Sequence, residues 1–396
     1  MKILVLNSGS SSLKCQYFVN EKSIASVTIE RIGEKESYMT LHFKGPPVKH
    51  TIAVKDHHHA LVTLFERLKN TRIISDIGEL DAVGHRVVHG GPHFSQPVRI
   101  TGTVIETIRS LIPLAPLHNP ANLEGIEVIA ALYPDLIQVA VFDTAFHQTM
   151  PDCTAYYPLP YHLFETASVR RYGFHGTSHA YVAKEASKIL HKPLKELNLI
   201  TLHLGNGASA AAIKNGISID TSMGLTPLEG LMMGTRSGDI DPAITPYLMH
   251  QLHMTAEEVD TMFNKKSGLK GICGTNDMRE VISHTEQGDE KSRLAVEMYA
   301  YRIKKYIGAY AAALGRVDAI VFTGGIGEHA SKIRTLACEG LENIFGLSVD
   351  EGKNSLNDPA IQQKDSKVAL LVITTNEELE ITRQTQEVVI HSKENL

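Results

Sequence analysis

The sequence predicts an α/β protein made of two domains. Its 396 residues exceed what a single hydrophobic core usually supports. Strand and helix signals alternate along the chain, a pattern typical of α/β folds. A loose internal repeat points to duplication, because residues 3–18 and 199–213 each contain an apolar strand, a loop of Gly, Ser and Asn, and a second extended run. Each copy predicts a β-hairpin, and chance similarity between two hairpins is the alternative to a common ancestral design.

The first helix with clear signals is predicted near residues 120–133. Asn119 is the expected N-cap, Pro120 suits the first turn, and Pro134 ends the pattern. Apolar residues repeat every third position between these signals, at Leu123, Ile126, Ile129 and Leu132. The run His57–His59 matches no functional motif, and we expect it to be a solvated helix start.

A longer helix is predicted over about residues 291–314, followed by a strand at residues 319–323. The buried stripe of that helix is predicted to contain Tyr299, Ile303, Tyr306, Ile307, Tyr310 and Leu314. After the strand, GGIGEHA (324–330) predicts a glycine loop that leads into a helical stretch, SKIRTLACEGL. Glycine loops at strand ends are common places for ligands.

The composition argues against nucleic acid and membranes as partners. The 39 basic and 44 acidic residues give a net charge of −5, and no basic block stands out. No apolar stretch approaches the roughly 20 residues of a membrane span, and the N-terminal apolar run is too short for a signal peptide. The four cysteines are far apart and form no zinc spacing, so we expect reduced thiols and a cytoplasmic protein.

The opening loop NSGSSSLK (7–14) predicts a phosphate cradle. Small residues allow backbone N–H groups to converge on an anion, and Lys14 adds a positive charge. The Walker A pattern is not met, because Leu13 and Cys15 stand where that motif has Gly and Ser or Thr. A hairpin scaffold is therefore expected, although a serine-rich surface turn would give a similar pattern.

A dinucleotide-binding dehydrogenase is a competing interpretation. Gly325, Gly327 and Ala330 fit GxGxxA, and Asp350 follows about 20 residues later. That fingerprint explains neither hairpin loop. One nucleotide held by both domains accounts for all three glycine-containing turns.

Nine stretches of the sequence closely resemble the acetate kinase family, in the family's order and over residues 3–379. They are NSGSSSLK (7–14), GHRVVHGG (84–91), APLHNP (115–120), FDTAFH (142–147), RYGFHGTSH (171–179), HLGNG (203–207), GLMMGTRSGDIDP (230–242), TGGIGE (323–328) and TNEEL (375–379). The family belongs to the superfamily of sugar kinases, actin and heat-shock ATPases. The resemblance therefore implies two ribonuclease H-like domains, a duplicated actin-like ATPase fold, with nucleotide in the cleft between them.

The domain boundaries are predicted from this resemblance. The first domain is expected at residues 1–147, joined by a C-terminal helix at about 378–396. The second is expected at residues 148–377, where it would bind nucleotide and form a homodimer.

The implied reaction is reversible phosphoryl transfer between ATP and acetate, giving ADP and acetyl phosphate. Acetate is already ionised near pH 7, so the chemistry needs charge stabilisation rather than a base. Arginine, histidine and metal ligands are the residue types that meet this need. By the resemblance, the catalytic residues are Arg86, His118, Asp143, His175 and Arg236. Asp143 is expected to position the metal or to handle a proton, and His179 to make a helix cap or a core hydrogen bond.

The resemblance also implies the substrate and cofactor contacts. Arg86 would bind the carboxylate, and a small apolar pocket for the methyl group would be formed by Val88, Leu117, Phe174 and Pro227. ATP or ADP would contact Lys14, His203, Leu204, Gly205, Asn206, Gly207, Asp277, Met278, Arg279, Gly324, Gly325, Ile326, Gly327 and Glu328. Mg²⁺, with Mn²⁺ as an alternative, would lie near Asn7 and Glu377, since magnesium prefers oxygen ligands.

The sequence leaves three alternatives open: one concerns the substrate, and two concern the activity itself. A propionate or other short-chain carboxylate kinase would share the motifs. An actin-like ATPase would share both hairpins but would not need Arg86, His118, His175 and Arg236. An NAD-dependent dehydrogenase would explain only the segment 324–330.

Overall fold

The computed structural model describes residues 1–394 and divides the chain into two compact units. Unit 1 contains Met1–Gln148 and the chain from Asn376 onward, and unit 2 contains Thr149–Thr375. The last two residues of the predicted C-terminal helix, 395 and 396, lie outside the described residues.

Unit 1 is built on an eight-stranded sheet of order β5-β4-β3-β2-β1-β6-β8-β7. Its strands are β1 Lys2–Ser8, β2 Ser12–Val19, β3 Lys22–Glu30, β4 Ser37–His42, β5 Val48–Ile52, β6 Ala82–Val87, β7 Val98–Arg99 and β8 Gln138–Phe142. Strands β1 to β5 are antiparallel, whereas β6 is parallel to β1 and β8 is parallel to β6.

Helices cover both faces of the unit 1 sheet. They are α1 His57–Asn70, α2 Gly102–Ser110, α3 Asn119–Leu132 and α16 Glu377–Glu394, with 3-10 turns at Ile77–Glu79, Ile112–Leu114 and Ala145–His147. On β1, Leu4 and Leu6 pack with α1 and α3, while Ile3 and Val5 pack with α16. Burial on both faces explains why β1 is a continuous apolar run rather than an alternating one.

Unit 2 contains a five-stranded sheet of order β11-β10-β9-β12-β13. Its strands are β9 Asn198–Leu204, β10 Ala208–Lys214, β11 Ile217–Thr221, β12 Ala319–Thr323 and β13 Ala369–Val372. Its helices are α4 Asp152–Ala155, α5 His162–Ala167, α6 Gly176–Ile189, α7 Ile244–Gln251, α8 Ala256–Lys265, α9 Gly268–Cys273, α10 Met278–Glu286, α11 Glu290–Leu314, α12 Gly324–His329, α13 Ser331–Cys338, α14 Glu342–Phe345 and α15 Glu351–Leu356, with a 3-10 turn at Leu194–Glu196.

The two sheets share one topology, as the internal repeat predicts. In unit 1, three antiparallel strands β3-β2-β1 are followed by the parallel strands β6 and β8. In unit 2, β11-β10-β9 are followed by the parallel strands β12 and β13 in the same arrangement. The predicted hairpins, β1–β2 and β9–β10, occupy equivalent places in the two sheets. The α/β class and the duplicated fold are therefore confirmed.

Three local predictions need correction. Asn119 does not cap α3, because its side chain accepts from the His89 N–H (3.1 Å) and donates to the His89 carbonyl (3.1 Å). GGIGEH is not a loop but the helix α12, which Gly324 can begin because it adopts a φ of +75°. His57 begins α1 as expected, but it is buried rather than solvated, and only His58 and His59 are exposed.

No helix among residues 1–394 combines the length and the apolar character that crossing a membrane requires.

Candidate active site

The β1–β2 hairpin of unit 1 presents the opening loop. Asn7 pairs with Lys14 across the two strands, and the turn closes with the Gly9 N–H donating to the Ser12 carbonyl (2.8 Å). The Lys14 side chain is exposed, which is the condition expected of a cation that meets a dissolved phosphate.

Arg86 is held at the end of β6 by a two-point contact with Asp143. Its Nε donates to Asp143 Oδ1 (3.0 Å) and its Nη2 donates to Asp143 Oδ2 (2.5 Å), while Nη1 lies 3.3 Å from Asn7 Oδ1. Asp143 is 2% exposed and follows β8, the parallel neighbour of β6. This two-point contact fixes the plane of the guanidinium group, and about a fifth of the Arg86 side chain remains exposed. Burial would lower the pKa of Arg86, but Asp143 and Glu377 raise it, so it stays charged.

Glu377 brings a second carboxylate to Arg86 from the start of α16. Its Oε2 lies 3.9 Å from Arg86 Nε. Burial raises the pKa of Glu377 to about 7, with Arg86 opposing the shift and Asp143 adding to it. Asn7, Asp143 and Glu377 therefore gather oxygen atoms around one arginine. Residues 1–394 contain no cluster of three or more His, Cys, Asp or Glu side chains placed to hold a metal ion.

The first turn of α3 supports the segment that carries Val88. Asn122 Oδ1 accepts from the Val88 N–H (3.0 Å), and Asn122 Nδ2 donates to the carbonyl of Ser8 at the end of β1 (2.7 Å). Val88 is 7% exposed, whereas Leu117 is 58% exposed. His118 directly precedes α3. Asn122 lies two residues after the motif APLHNP (115–120), so a structural asparagine follows the predicted functional residues of that motif.

His57 is a contact that sequence reasoning missed. Its Nε2 lies 2.6 Å from the carbonyl of Gly9, inside the loop predicted to bind phosphate, and its Nδ1 lies 3.5 Å from Glu124 Oε2. Because His57 stands in a run of three histidines, the sequence did not distinguish it from the exposed His58 and His59. The only available signal was its position, directly after the helix cap Asp56.

The β9–β10 hairpin of unit 2 brings three predicted groups together. The Gly205 N–H donates to the Gly207 carbonyl (2.9 Å), which makes a tight turn. A Cβ atom on Gly207 would lie 3.4 Å from His175 Nε2 and 3.5 Å from Arg236 Nη1. Glycine at this position therefore lets a backbone amide, an imidazole and a guanidinium meet without an intervening side chain.

Arg236 differs from Arg86 in having no carboxylate partner. Its Nη1 donates to the Pro227 carbonyl (3.1 Å), and no ion pair of Arg236 is found within residues 1–394. Burial lowers its pKa, although arginine remains protonated because its ordinary pKa is above 12. A charged guanidinium in this condition is a ready binding group for an anion.

His175 is the N-cap residue directly before α6 and adopts the left-handed conformation, with φ 56° and ψ 23°. Its Nδ1 lies 2.9 Å from Ser209 Oγ, and its ring packs against His203 with centroids 4.3 Å apart and the ring planes tilted by 32°. Ser209 Oγ also lies 2.8 Å from His179 Nε2. His179 thus makes the core hydrogen bonds that the sequence predicts, while Ser209 was missed because a buried serine in an alanine-rich strand has no distinguishing signal.

The segment that carries Pro227 and Arg236 is fixed by buried polar contacts. Tyr157 Oη donates to Glu229 and accepts from the Leu225 N–H (3.0 Å), while Arg171 pairs with Glu229. Asp239 accepts from the Gly230 N–H (2.8 Å) and from Tyr306 Oη (2.7 Å). Phe174 is 2% exposed and Pro227 is half-buried. Tyr306, which the sequence predicts in the buried stripe of α11, therefore also anchors this segment through its hydroxyl group.

A cavity of about 440 Å³ in unit 2 is lined by half of the predicted nucleotide contacts. Its lining residues are Gly205, Asn206, Asn276, Asp277, Met278, Arg279, Ile282, Gly325, Ile326, His329 and Ala330. Asn276, Ile282, His329 and Ala330 were not predicted. The Arg279 side chain pairs with Asp277 and holds the pKa of that carboxyl at about 2. A larger cavity in unit 1 contains none of the predicted site residues; it is lined by Asp76, Ile77, Gly78, Leu80, Asp81 and Leu132–Ile137.

Glu328 and Arg334 organise the short helix α12. The Glu328 carboxylate accepts from the N–H groups of Gly324 (3.0 Å) and Thr375 (3.2 Å), so its side chain serves the helix N-terminus. Arg334 is fully buried and donates to the carbonyls of Gly327 (2.8 Å) and Glu328 (3.0 Å). Gly325 of α12 then lines the cavity with backbone atoms alone.

The sequence model of the Acetokinase family matches residues 2–383 of this chain. The chain belongs to the acetokinase family. It is 68% identical to an acetate kinase of Sulfurovum sp. (strain NBC37-1), an alignment that covers 98% of this chain and 99% of that protein. The resemblance found in the nine sequence motifs is therefore confirmed.

Solved structures of the acetokinase family have the same fold. The crystal structure of Porphyromonas gingivalis acetate kinase superposes with a TM-score of 0.93 at 44% identity, covering 98% of this chain and 99% of that one. A propionate kinase from Francisella tularensis subsp. tularensis SCHU S4 gives the same TM-score, identity and coverage. Within this family, the fold alone does not separate acetate from propionate as the substrate.

Proposed function

We propose that this protein is an acetate kinase that reversibly transfers a phosphoryl group between ATP and acetate, giving ADP and acetyl phosphate. The observation that carries the proposal is Arg236, a partly buried guanidinium without a carboxylate partner among residues 1–394, beside His175 at the glycine turn of β9–β10. An unpaired cation and an imidazole are suited to stabilise charge on a transferring phosphoryl group.

Arg86 supplies a second guanidinium, which we assign to the acetate carboxylate. Asp143 engages Arg86 through both of its oxygens, so we assign it a positioning role rather than proton handling. Acetate is ionised near pH 7 and needs no base, which agrees with a carboxyl group already committed to an arginine. His118, at the start of α3, is proposed as a further contact to the transferred group.

The nucleotide is assigned to the 440 Å³ cavity and to the hairpin turns. The adenosine would lie against Gly325, Ile326 and Met278, which line that cavity. The phosphates would follow residues 203–207 and Lys14. Backbone N–H groups in glycine turns bind phosphate oxygens without steric hindrance.

Mg²⁺ fits the oxygen groups of unit 1. Magnesium usually takes one or two protein carboxylates and keeps water and phosphate as its remaining ligands, so a large cluster is not required. Asn7 and Glu377 would hold it, and a nearby cation would lower the pKa of Glu377 from about 7. The ion would neutralise phosphate charge, and Mn²⁺ is an alternative occupant. A cytoplasmic homodimer, as the family resemblance implies, completes the proposal.

One assay separates this function from the alternatives. The protein is incubated with Mg-ATP, acetate and hydroxylamine, and acyl hydroxamate is measured. Hydroxamate is the expected product. ATP hydrolysis without hydroxamate would favour an actin-like ATPase, and quenching of NADH fluorescence without an ATP effect would favour a dehydrogenase; either result would contradict the proposal.

Propionate is a second candidate substrate because of the close match to the propionate kinase structure. Val88, Leu117, Phe174 and Pro227 form the proposed methyl pocket, and each extra methylene is worth only about 1–3 kcal/mol in such a pocket. We therefore expect propionate to react more slowly than acetate rather than to be excluded.

A further inference from the structure

We propose that a buried chain of hydrogen bonds from Thr201 through His179 and Ser209 keeps His175 a neutral imidazole with its hydrogen on Nε2. The functional meaning rests on the proposed kinase activity, which places His175 at the transferred phosphoryl group. Thr201, His179 and Ser209 are then positioning residues, because they act through His175.

Four side chains form the chain without interruption. Thr201 Oγ1 lies 2.7 Å from His179 Nδ1, His179 Nε2 lies 2.8 Å from Ser209 Oγ, and Ser209 Oγ lies 2.9 Å from His175 Nδ1. Thr201, His179 and Ser209 are each 0% exposed. Every donor and acceptor in the chain must therefore be matched internally.

The direction of the chain is set at Thr201. Within residues 1–394, His179 Nδ1 is the only group in hydrogen-bond contact with Thr201 Oγ1. A hydroxyl carries one hydrogen, and a buried hydroxyl that fails to donate it is destabilising. Thr201 therefore donates to His179 Nδ1, so that nitrogen carries no hydrogen.

The remaining hydrogens follow from this first assignment. His179 is neutral with its hydrogen on Nε2, and this N–H donates to Ser209 Oγ. The Ser209 hydroxyl hydrogen then has His175 Nδ1 as its one acceptor among the described side chains. His175 Nδ1 is thus an acceptor, and a neutral His175 must hold its hydrogen on Nε2.

The resulting tautomer suits the proposed reaction. Nε2 is the nitrogen near the Gly207 turn and Arg236, so its N–H can donate to a phosphoryl oxygen. Protonation of Nδ1 would place two hydrogens between His175 and Ser209, which the chain opposes. The cation Arg236 lies beside the Gly207 turn that faces His175, and its positive charge also disfavours a charged His175. Arg236 supplies the positive charge, and His175 supplies a neutral donor.

The test reads the tautomer directly. ¹⁵N-histidine-labelled protein is examined by NMR near pH 7, and the His175 signals are assigned by comparison with a His175→Gln variant. We expect one protonated and one unprotonated nitrogen, with the hydrogen on Nε2. A His175 ring protonated at both nitrogens, or carrying its hydrogen on Nδ1, would overturn the proposal.

Paired variants test the chain itself. Ser209→Ala removes the donor to His175 with little change in volume, and we expect a mixture of His175 forms and a kcat about tenfold lower, with KM values within about twofold of wild type. Thr201→Val removes the starting hydroxyl at a distance from the site and should act in the same direction. Thr201→Ser keeps the hydroxyl and should restore the wild-type spectrum.

The control is Ser187→Ala. Ser187 Oγ donates to the Lys192 carbonyl (2.6 Å) near the C-terminal end of α6, away from the chain, so the His175 spectrum should not change. A wild-type His175 spectrum in both Ser209→Ala and Thr201→Val would contradict the proposed chain. The NMR readout does not depend on turnover, so a wild-type protein that makes no acyl hydroxamate would refute the proposed function separately from the tautomer.

Discussion

The contrast between the two arginines is the main finding at the scale of single residues. Arg86 is oriented by Asp143 before any substrate binds, whereas the Arg236 guanidinium donates hydrogen bonds only to a carbonyl and a thioether among residues 1–394. Both were identified from their motifs. Their different surroundings could not be predicted, because the residues that contact each arginine are distant in the sequence.

Arg236→Ala should reduce kcat by about 10³, the scale of a lost transition-state arginine. Steady-state kinetics with Mg-ATP and acetate measure the change. Arg293→Ala is the control, because Arg293 is exposed on α11 and its ion pairs within residues 1–394 are with Glu290 and Glu297. Near-native turnover in Arg236→Ala would remove this residue from the mechanism.

His85 makes stability depend on pH. It is 2% exposed, and burial lowers its pKa to about 4. Its Nε2 lies 2.8 Å from the side-chain amide of Gln138. When the amide nitrogen faces His85 Nε2, that nitrogen also donates to the Ile126 carbonyl (3.3 Å), and the amide oxygen accepts from the Ala130 N–H (3.2 Å). In that orientation His85 accepts a hydrogen bond and must remain neutral.

The unfolded chain binds a proton at His85 near pH 6.5, and the folded chain binds it only near pH 4. The free energy of unfolding should therefore fall as the pH falls through this window, by an amount on the order of 3 kcal/mol. Urea unfolding at several pH values measures the slope. In His85→Gln the slope between pH 6.5 and 4 should be smaller, and an unchanged slope would contradict the assignment.

At the scale of elements, the hairpin β1–β2 depends on two helices that sequence motifs did not connect to it. The start of α1 brings His57 to the Gly9 carbonyl, and the first turn of α3 brings Asn122 to the Ser8 carbonyl. Apolar periodicity predicted α3, and the small-residue loop between two extended runs predicted the hairpin, whereas α1 was expected only as a helix start. The tertiary hydrogen bonds between them have no local signal, which is why Asn119 was misread as a cap.

Loss of the His57 contact should loosen the phosphate loop. His57→Leu is expected to raise the KM for Mg-ATP about tenfold, the equivalent of one buried hydrogen bond of about 1.4 kcal/mol. His58→Leu, a change to the exposed neighbour, should leave this KM unchanged. Equal KM values in both variants and in wild type would show that the contact has no role in nucleotide binding.

At the scale of the whole molecule, duplication was predictable and substrate choice was not. The repeated hairpins predicted two sheets of equivalent topology, because each copy has the same strand and loop pattern. An acetate kinase and a propionate kinase superpose equally well on this chain. The preference between the two acids must therefore come from a few side chains rather than from the fold.

Val88→Ala should raise the ratio of kcat/KM for propionate to that for acetate. The smaller side chain makes room for one methylene, and the expected gain is about tenfold. The two substrates are compared in parallel hydroxamate assays. Val83→Ala, a buried valine of the same strand region that lies outside the proposed pocket, controls for general loosening of unit 1. An unchanged ratio in Val88→Ala would place the pocket elsewhere.

The most direct test of the account is a crystal structure with ADP, Mg²⁺, acetate and a planar phosphoryl mimic. The account predicts that the mimic accepts hydrogen bonds from Arg236 and from His175 Nε2, and that acetate contacts Arg86. A mimic bound away from both Arg86 and Arg236 would contradict the proposed phosphoryl transfer site.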